Sequence, residues 1–184
     1  MQHFVSGIDL NKIPQDYKSI ILGAGCFWGV ERRFWEDPNI YLTSVGYSGG
    51  HIDNPTYKQV CYEDTGHVEV VKVIFDPQLI SLEEILKIFW ECHDPSQGDR
   101  QGNDRGTQYR SVIFCENEKD LNLANQSQKK YQEVLSKAGF GEITTEIKIF
   151  NTYFLAEYYH QQYLAKNPNG YCGLGGTGCA FPNN

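Results

Sequence analysis

The stretch His67-Val68-Glu69-Val70-Val71-Lys72-Val73-Ile74-Phe75, closed by Asp76-Pro77, sorts its side chains into two rows. Glu69, Val71, Val73 and Phe75 share one face and Val68, Val70, Lys72 and Ile74 the other, so it predicts a mostly buried β-strand. One carboxyl, that of Glu69, is thereby written into an apolar row that should face inward. Just downstream, Ser81 with Glu84 three residues on makes a capping-box pattern. The residues that follow, Leu82, Ile85, Leu86, Phe89 and Cys92, repeat as one helical face.

Upstream, Lys18 to Leu22 reads as a short buried strand and Gly23-Ala24-Gly25 as a tight turn. A helix carrying Phe27, Val30 and Phe34 follows and stops at Asp37-Pro38, then Tyr41 to Tyr47 is extended as far as Ser48-Gly49-Gly50. Residues 55–61 suit a short helix with Tyr57 and Cys61 on one face. Downstream, 93–108 is polar and aperiodic, with Gly98, Gly102 and Gly106, and reads as a binding loop. Then come a strand over 109–115, a helix over 118–138 ended by Gly139, an alternating strand through Ile143, Thr145, Ile147 and Ile149, and a short aromatic helix over 156–165. The order β-α-β-β-α-β, then α-β-α, predicts an α/β (α+β) fold. Its sheet should be mixed or antiparallel with helices mainly on one face, around a ferredoxin-like split βαβ core. One domain over 1–184 is expected, with 166–184 an extended glycine-rich, flexible tail.

The 184 residues are 40% hydrophobic and 21% charged, ordinary usage for a globular domain. A net charge of -7 with no Lys/Arg run argues against nucleic acid or an anionic membrane as partner. The opening Met1-Gln2-His3-Phe4-Val5-Ser6 lacks a basic segment followed by an apolar one, so the cytosol is the expected location. There, the cysteines Cys26, Cys61, Cys92, Cys115, Cys172 and Cys179 should be reduced at rest. None forms a C-x-x-C pair, which disfavours a zinc ribbon or a thioredoxin-like site, and no metal or bound cofactor is expected.

Cys26 falls at the strand-turn-helix junction, where unpaired N–H groups and the helix dipole should favour a thiolate. Cys92 and Cys115 end an apolar face and a strand and read as packing, with Cys61 similar. In the tail, Gly170, Gly173, Gly175, Gly176 and Gly178 surround Cys172 and Cys179, a composition able to return a cysteine to a distant site. A sulfenic acid on Cys26 would condense with such a thiol.

Gly25-Cys26-Phe27-Trp28-Gly29 strongly resembles the signature of the A-type peptide methionine sulfoxide reductases. Similar segments follow in order: Gly46-Tyr47-Ser48-Gly49-Gly50, Asn54-Pro55-Thr56-Tyr57, Thr65-Gly66-His67-Val68-Glu69, His93-Asp94-Pro95, Gln101-Gly102-Asn103-Asp104, Gly106-Thr107-Gln108-Tyr109-Arg110-Ser111 and His160-Gln161-Gln162-Tyr163-Leu164. The resemblance implies thiol-dependent reduction of methionine S-sulfoxide, free or in oxidised proteins, as repair of oxidative damage. It implies Cys26 as attacking thiolate and Glu69 as proton donor to the departing oxygen. Tyr57 and Tyr109 would bind that oxygen, Asp104 the substrate, and Phe27 and Trp28 its methyl group. It further implies that Cys172, in a Gly-Tyr-Cys-Gly context, resolves the sulfenic acid and that Cys179 relays the disulfide to thioredoxin, the electron donor. A monomer is expected. Two departures stand out: the Cys172 to Cys179 interval is short, and Tyr158 stands where an acidic residue is expected.

Other chemistries fit parts of the pattern. A thiol peroxidase would use the same cysteine pair. A cysteine hydrolase would use Cys26, His67 and Asp104 but has no need of tail thiols. A metal-binding or redox-sensing module would use Cys172, Cys179 and a histidine.

Overall fold

The computed structural model describes residues 1–150 and 152–182. In chain order the elements are β1 (Lys18–Gly23), α1 (Phe27–Trp35), β2 (Ile40–Ser48), α2 (Tyr57–Tyr62), β3 (Val68–Phe75) and α3 (Leu82–Cys92). A small hairpin of β4 (Arg100–Gln101) and β5 (Asp104–Arg105) and a 3-10 turn (Thr107–Tyr109) lead into β6 (Val112–Cys115). The chain continues through α4 (Glu118–Lys137), β7 (Glu146–Ile149), β8 (Tyr153–Leu155) and α5 (Tyr163–Lys166).

Six strands form one mixed sheet in the order β7-β6-β1-β3-β2-β8. Its neighbours are antiparallel except for the parallel pair β6 and β7. The architecture is therefore α/β. β3 behaves as its alternation dictates. Val71, Val73 and Phe75 join the large core with Phe27, Val30 and Phe34 of α1, Ile85, Leu86 and Phe89 of α3, and Ala124, Tyr131 and Leu135 of α4. Val68 and Val70 face the other way, into a smaller cluster with Ile21, Val112 and Phe114 that Phe150 and Tyr153 cover. Glu69, in the first row, is buried on the helix side of the sheet. The Ser81 and Glu84 capping box is present, and a second one, Thr56 with Gln59, starts α2.

Three expectations need correction. Strand pairing of the segment from Ile143 begins only at Glu146, because the Ile143 N–H goes to the Gln132 side chain and that of Thr144 to the Pro95 carbonyl. The aromatic helix shrinks to Tyr163–Lys166, while Tyr153–Leu155 adds an edge strand to β2. Between them, the buried Gln161 amide takes over the ladder: Oε1 accepts from Val45 N–H at 2.9 Å and Nε2 donates to the Val45 carbonyl at 2.8 Å. Finally, the aperiodic loop contains the β4–β5 hairpin, turned at Gly102 (φ +60°).

After α5 the described part of the tail, residues 167–182, runs across the helices without forming a helix or strand. Leu174 packs beside Gly29 of α1, and Gly176 passes the carbonyl of Glu91 in α3. Phe181 N–H bonds Glu91 Oε1 at 2.8 Å, and Tyr131 of α4 donates to the Cys179 carbonyl at 3.0 Å.

Candidate active site

The site is assembled where β1 turns into α1. Gly25 takes φ +98°, and a Cβ there would stand 2.7 Å from Gln101 Cβ, so only glycine serves this turn. Cys26 is then the residue before the first helical one, half-buried, with no cap from its own side chain. The first N–H groups of a helix have no partner inside it. Here two of them are taken by the two groups singled out from sequence. Phe27 N–H donates to Glu69 Oε2 at 3.1 Å, and the amide of Trp28 supports negative charge on the Cys26 sulfur. Helix α1 and strand β3 thus bring Cys26 and Glu69 to one point.

Burial governs both groups. Glu69, 1% exposed, is raised from 4.5 to about 8, with the Asp104 charge raising it further and the Phe27 amide holding it down. It is a carboxylic acid at neutral pH. The Cys26 thiol is pushed well up, by burial first and the Glu69 charge second, with Asp104 and Cys172 adding to this against the Trp28 amide. The expected bias of the helix start toward a resting thiolate is therefore present but overridden by desolvation.

Tyr57 opens α2, with its N–H on Glu157 Oε1 at 2.8 Å and its ring 4.4 Å from that of His160. Its hydroxyl bonds Cys61, and burial, that bond and Glu69 raise it. Tyr109 ends the 3-10 turn and is raised by burial and then by Glu69, Cys61, Cys26 and Asp104. Both remain O–H donors grouped around Glu69. Asp104, on the hairpin, is half-buried and raised by burial; its Oδ2 accepts from the Tyr171 hydroxyl at 3.2 Å. Trp28 is partly exposed, stacked on Tyr163 at 3.9 Å. Phe27, by contrast, is 1% exposed and packs on Tyr47 and His160, the position of a core residue.

Cys172, half-buried, rests against α1, with its Sγ accepting from Arg32 Nη2 at 3.3 Å. It stands 2.9 Å from where a Cβ on Gly29 would be, one helical turn beyond Cys26. Cys179 is held on α4 instead, by Tyr131. All six cysteines are unpaired.

Sequence reasoning passed over His160 and Glu157. His160 is buried and lowered to about 4 by burial, hence neutral. Its Nδ1 accepts from Trp28 Nε1–H at 3.0 Å, while Nε2 is without a hydrogen bond, 4.0 Å from Glu157. Glu157 in turn accepts from Tyr47 O–H at 2.8 Å and from the Tyr57 amide. These two residues orient Trp28 and Tyr57. His160 had one signal, its place in the His160-Gln161-Gln162-Tyr163-Leu164 segment, and Glu157 had none. His67 is not near this role: Nε2 meets the Ile52 carbonyl at 2.8 Å and Nδ1 accepts from Gly50 N–H at 3.2 Å. With both ring nitrogens engaged by backbone, the Cys26, His67, Asp104 hydrolase arrangement does not form. Among the described residues, no three His, Cys, Asp or Glu gather as a metal site, and no helix is long and apolar enough to cross a membrane.

Residues 18–177 match the family model described as peptide methionine sulfoxide reductase. The chain is 54% identical over 182 residues, 98% of its length and 77% of the relative's, to the mitochondrial peptide methionine sulfoxide reductase of Homo sapiens. It is 57% identical over 181 residues, 98% of its length and 87% of the relative's, to peptide methionine sulfoxide reductase MsrA of Vibrio vulnificus. Among solved structures, methionine sulfoxide reductase A of Corynebacterium diphtheriae superposes with TM-score 0.88 at 41% identity, covering 98% of this chain and 89% of that one. Mxr1 of Saccharomyces cerevisiae in complex with Trx2 superposes with TM-score 0.58 at 25% identity, covering 84% and 91%. With a buried acid and a thiol sharing one helix start, and relatives of this identity along nearly its whole length, the chain belongs to the peptide methionine sulfoxide reductase family of oxidoreductases.

Proposed function

We propose that this chain reduces methionine S-sulfoxide, free and in proteins, with Cys26 as the attacking sulfur and Glu69 as the acid. The observation that carries the reading is the division of the first two α1 amides between those side chains. A sulfoxide oxygen leaves only if it is hydrogen-bonded or protonated as the sulfur is attacked. Glu69 is a neutral acid at pH 7, and Tyr57 and Tyr109 hold O–H donors beside it. As long as Glu69 stays protonated, the charge that most opposes ionisation of Cys26 is absent. A proton released from Cys26 and one delivered to the oxygen leave the site electrically balanced, so thiolate formation belongs to the substrate-bound state. Asp104 binds and orders the substrate, and Trp28 receives its methyl group, while Phe27 is buried in the core beneath the helix start.

The oxygen transfers as methionine leaves, giving a sulfenic acid on Cys26. Cys172 then closes a disulfide with it, and Cys179 exchanges into that bond and presents it to thioredoxin. Support for the reductant is the Mxr1 complex with Trx2; support for the relay is the course of the tail, which carries Cys172 on α1 and Cys179 on α4. Residues 166–184 must detach for that exchange, which is the sense in which this single domain has a flexible tail. We also read β6-β1-β3-β2, with α1 and α3 in the crossovers, as a ferredoxin-like split βαβ core. The protein acts as a monomer in the cytosol, without a bound cofactor and with thiols reduced.

The test is turnover on separated S and R methionine sulfoxides and on hydrogen peroxide, together with Cys26→Ser. Reduction of the S epimer alone, and none by Cys26→Ser in a single turnover, is the expected result. Preference for peroxide would replace this reading with a thiol peroxidase.

A further inference from the structure

The tail segment bearing Cys172 is fastened on two sides. Toward α1, Arg32 donates to Cys172 Sγ, and Gly29 leaves room for it by having no side chain. Toward the hairpin, the Tyr171 hydroxyl donates to Asp104 Oδ2 at 3.2 Å. Gly173 passes so close that a Cβ on it would stand 3.1 Å from that same oxygen. Tyr171 immediately precedes Cys172, so the second fastening fixes the backbone that aims the sulfur. The phenol also lies within electrostatic reach of both Cys26 and Cys172.

The Tyr171 ring is 45% exposed and belongs to neither apolar cluster. A half-exposed ring tied by one hydrogen bond contributes little to the fold. What it does determine is where the next residue sits. We propose that Tyr171 is a positioning residue for disulfide formation, docking Cys172 over α1 by hydrogen-bonding Asp104. Without this bond only the α1 side still holds Cys172, the glycine-rich backbone around it gains conformations, and the fraction of time the sulfur spends aimed at Cys26 falls.

The inference rests on Cys172 being the resolving thiol. In that step the Cys172 sulfur attacks the sulfenic sulfur of Cys26; the S–S bond forms, the S–O bond breaks, and the hydroxyl leaves as water with the Cys172 proton. Cys172 is oxidised and Cys26 reduced by one electron each, so no outside reactant is required.

Tyr171→Phe keeps the ring and removes only the hydroxyl. In a single turnover, methionine should appear at the wild-type rate, while disulfide formation slows roughly 5-fold, the order expected for one hydrogen bond lost. Dimedone should capture correspondingly more sulfenic acid on Cys26. A purely structural role would slow both steps or neither. Disulfide formation at the wild-type rate, or equal slowing of both steps, overturns the proposal. Cys172→Ser separates this from failure of the underlying reading: if that variant still closes a disulfide on Cys26, Cys172 is not the resolving thiol and the docking role falls with it.

Discussion

Glu69→Gln should make the protein more stable and less active, with both effects depending on pH. In the folded chain the Glu69 carboxyl keeps its proton up to about pH 8, whereas its ordinary value is 4.5. Between those values the native state binds a proton that the unfolded chain has released, so stability falls as pH rises. The penalty is absent below about 4.5 and complete above about 8. At 1.36 kcal/mol per pH unit it reaches on the order of 3 kcal/mol at pH 7 and about 5 kcal/mol beyond pH 8. Glutamine never ionises and keeps an acceptor for the Phe27 amide now bonded at 3.1 Å. The variant should therefore nearly match wild type in urea at pH 5 and exceed it clearly at pH 8. At the same time it cannot protonate the departing oxygen, which should slow methionine release at pH 7 by about 10² to 10⁴. Wild-type single-turnover rates should decline as pH passes 8, and the residual rate of the variant should not follow that decline. Equal stability of the two proteins at both pH values, or parallel rate profiles, would refute the buried neutral acid.

Cys172→Ser should release about one methionine per enzyme in rapid-quench experiments, since the sulfenic acid needs only Cys26, and should lose multiple turnover with thioredoxin; full turnover would move the resolving role to Cys179 or Cys61. Cys179→Ser should form the Cys26–Cys172 disulfide at the normal rate by mass mapping and be slow only in reduction by thioredoxin, so a defect in disulfide closure would count against the relay. Gly29→Ala places a Cβ 2.9 Å from Cys172 Sγ and 3.1 Å from Leu174 Cβ, which should displace the tail and slow disulfide closure. Helix α1 itself should gain up to about 1 kcal/mol from the exchange, so closure at the wild-type rate with thermal stability raised by that amount would show that the tail does not rest there.

The fold was legible wherever a periodic apolar pattern was carried by capped or glycine-ended elements. β3, α3 and α4 fall where alternation, the Ser81 box and the Gly139 stop put them. It failed where tertiary hydrogen bonds outvoted local pattern. Ile143 and Thr145 alternate with Ile147 as a strand should, yet the amides of Ile143 and Thr144 are claimed by Gln132 and Pro95. Tyr153–Leu155 lacks length and alternation to announce itself and becomes a strand only because β2 offers an open edge. Gln161, which substitutes for a strand neighbour with one side-chain amide, has no local signature at all.

For the site, residue types and their coming together were legible, while charge states were only half so. Both expectations rested on one element each: the apolar row for Glu69, the helix start for Cys26. Desolvation acts on both groups in the same direction, favouring the neutral form. For Glu69 this agrees with the sequence argument, because the inward row was already an argument about burial. For Cys26 it opposes an argument made from the dipole alone, which is worth at most a kcal/mol or two near a helix end. That sum could not be struck from sequence, since it depends on Gln101 closing over Gly25, on Glu69 arriving from β3 and on Asp104 arriving from the hairpin. The consequence is mechanistic. On the proposed reading, a thiol held neutral at rest is spared from general oxidation, and it ionises only with substrate bound, while Glu69 still carries its proton.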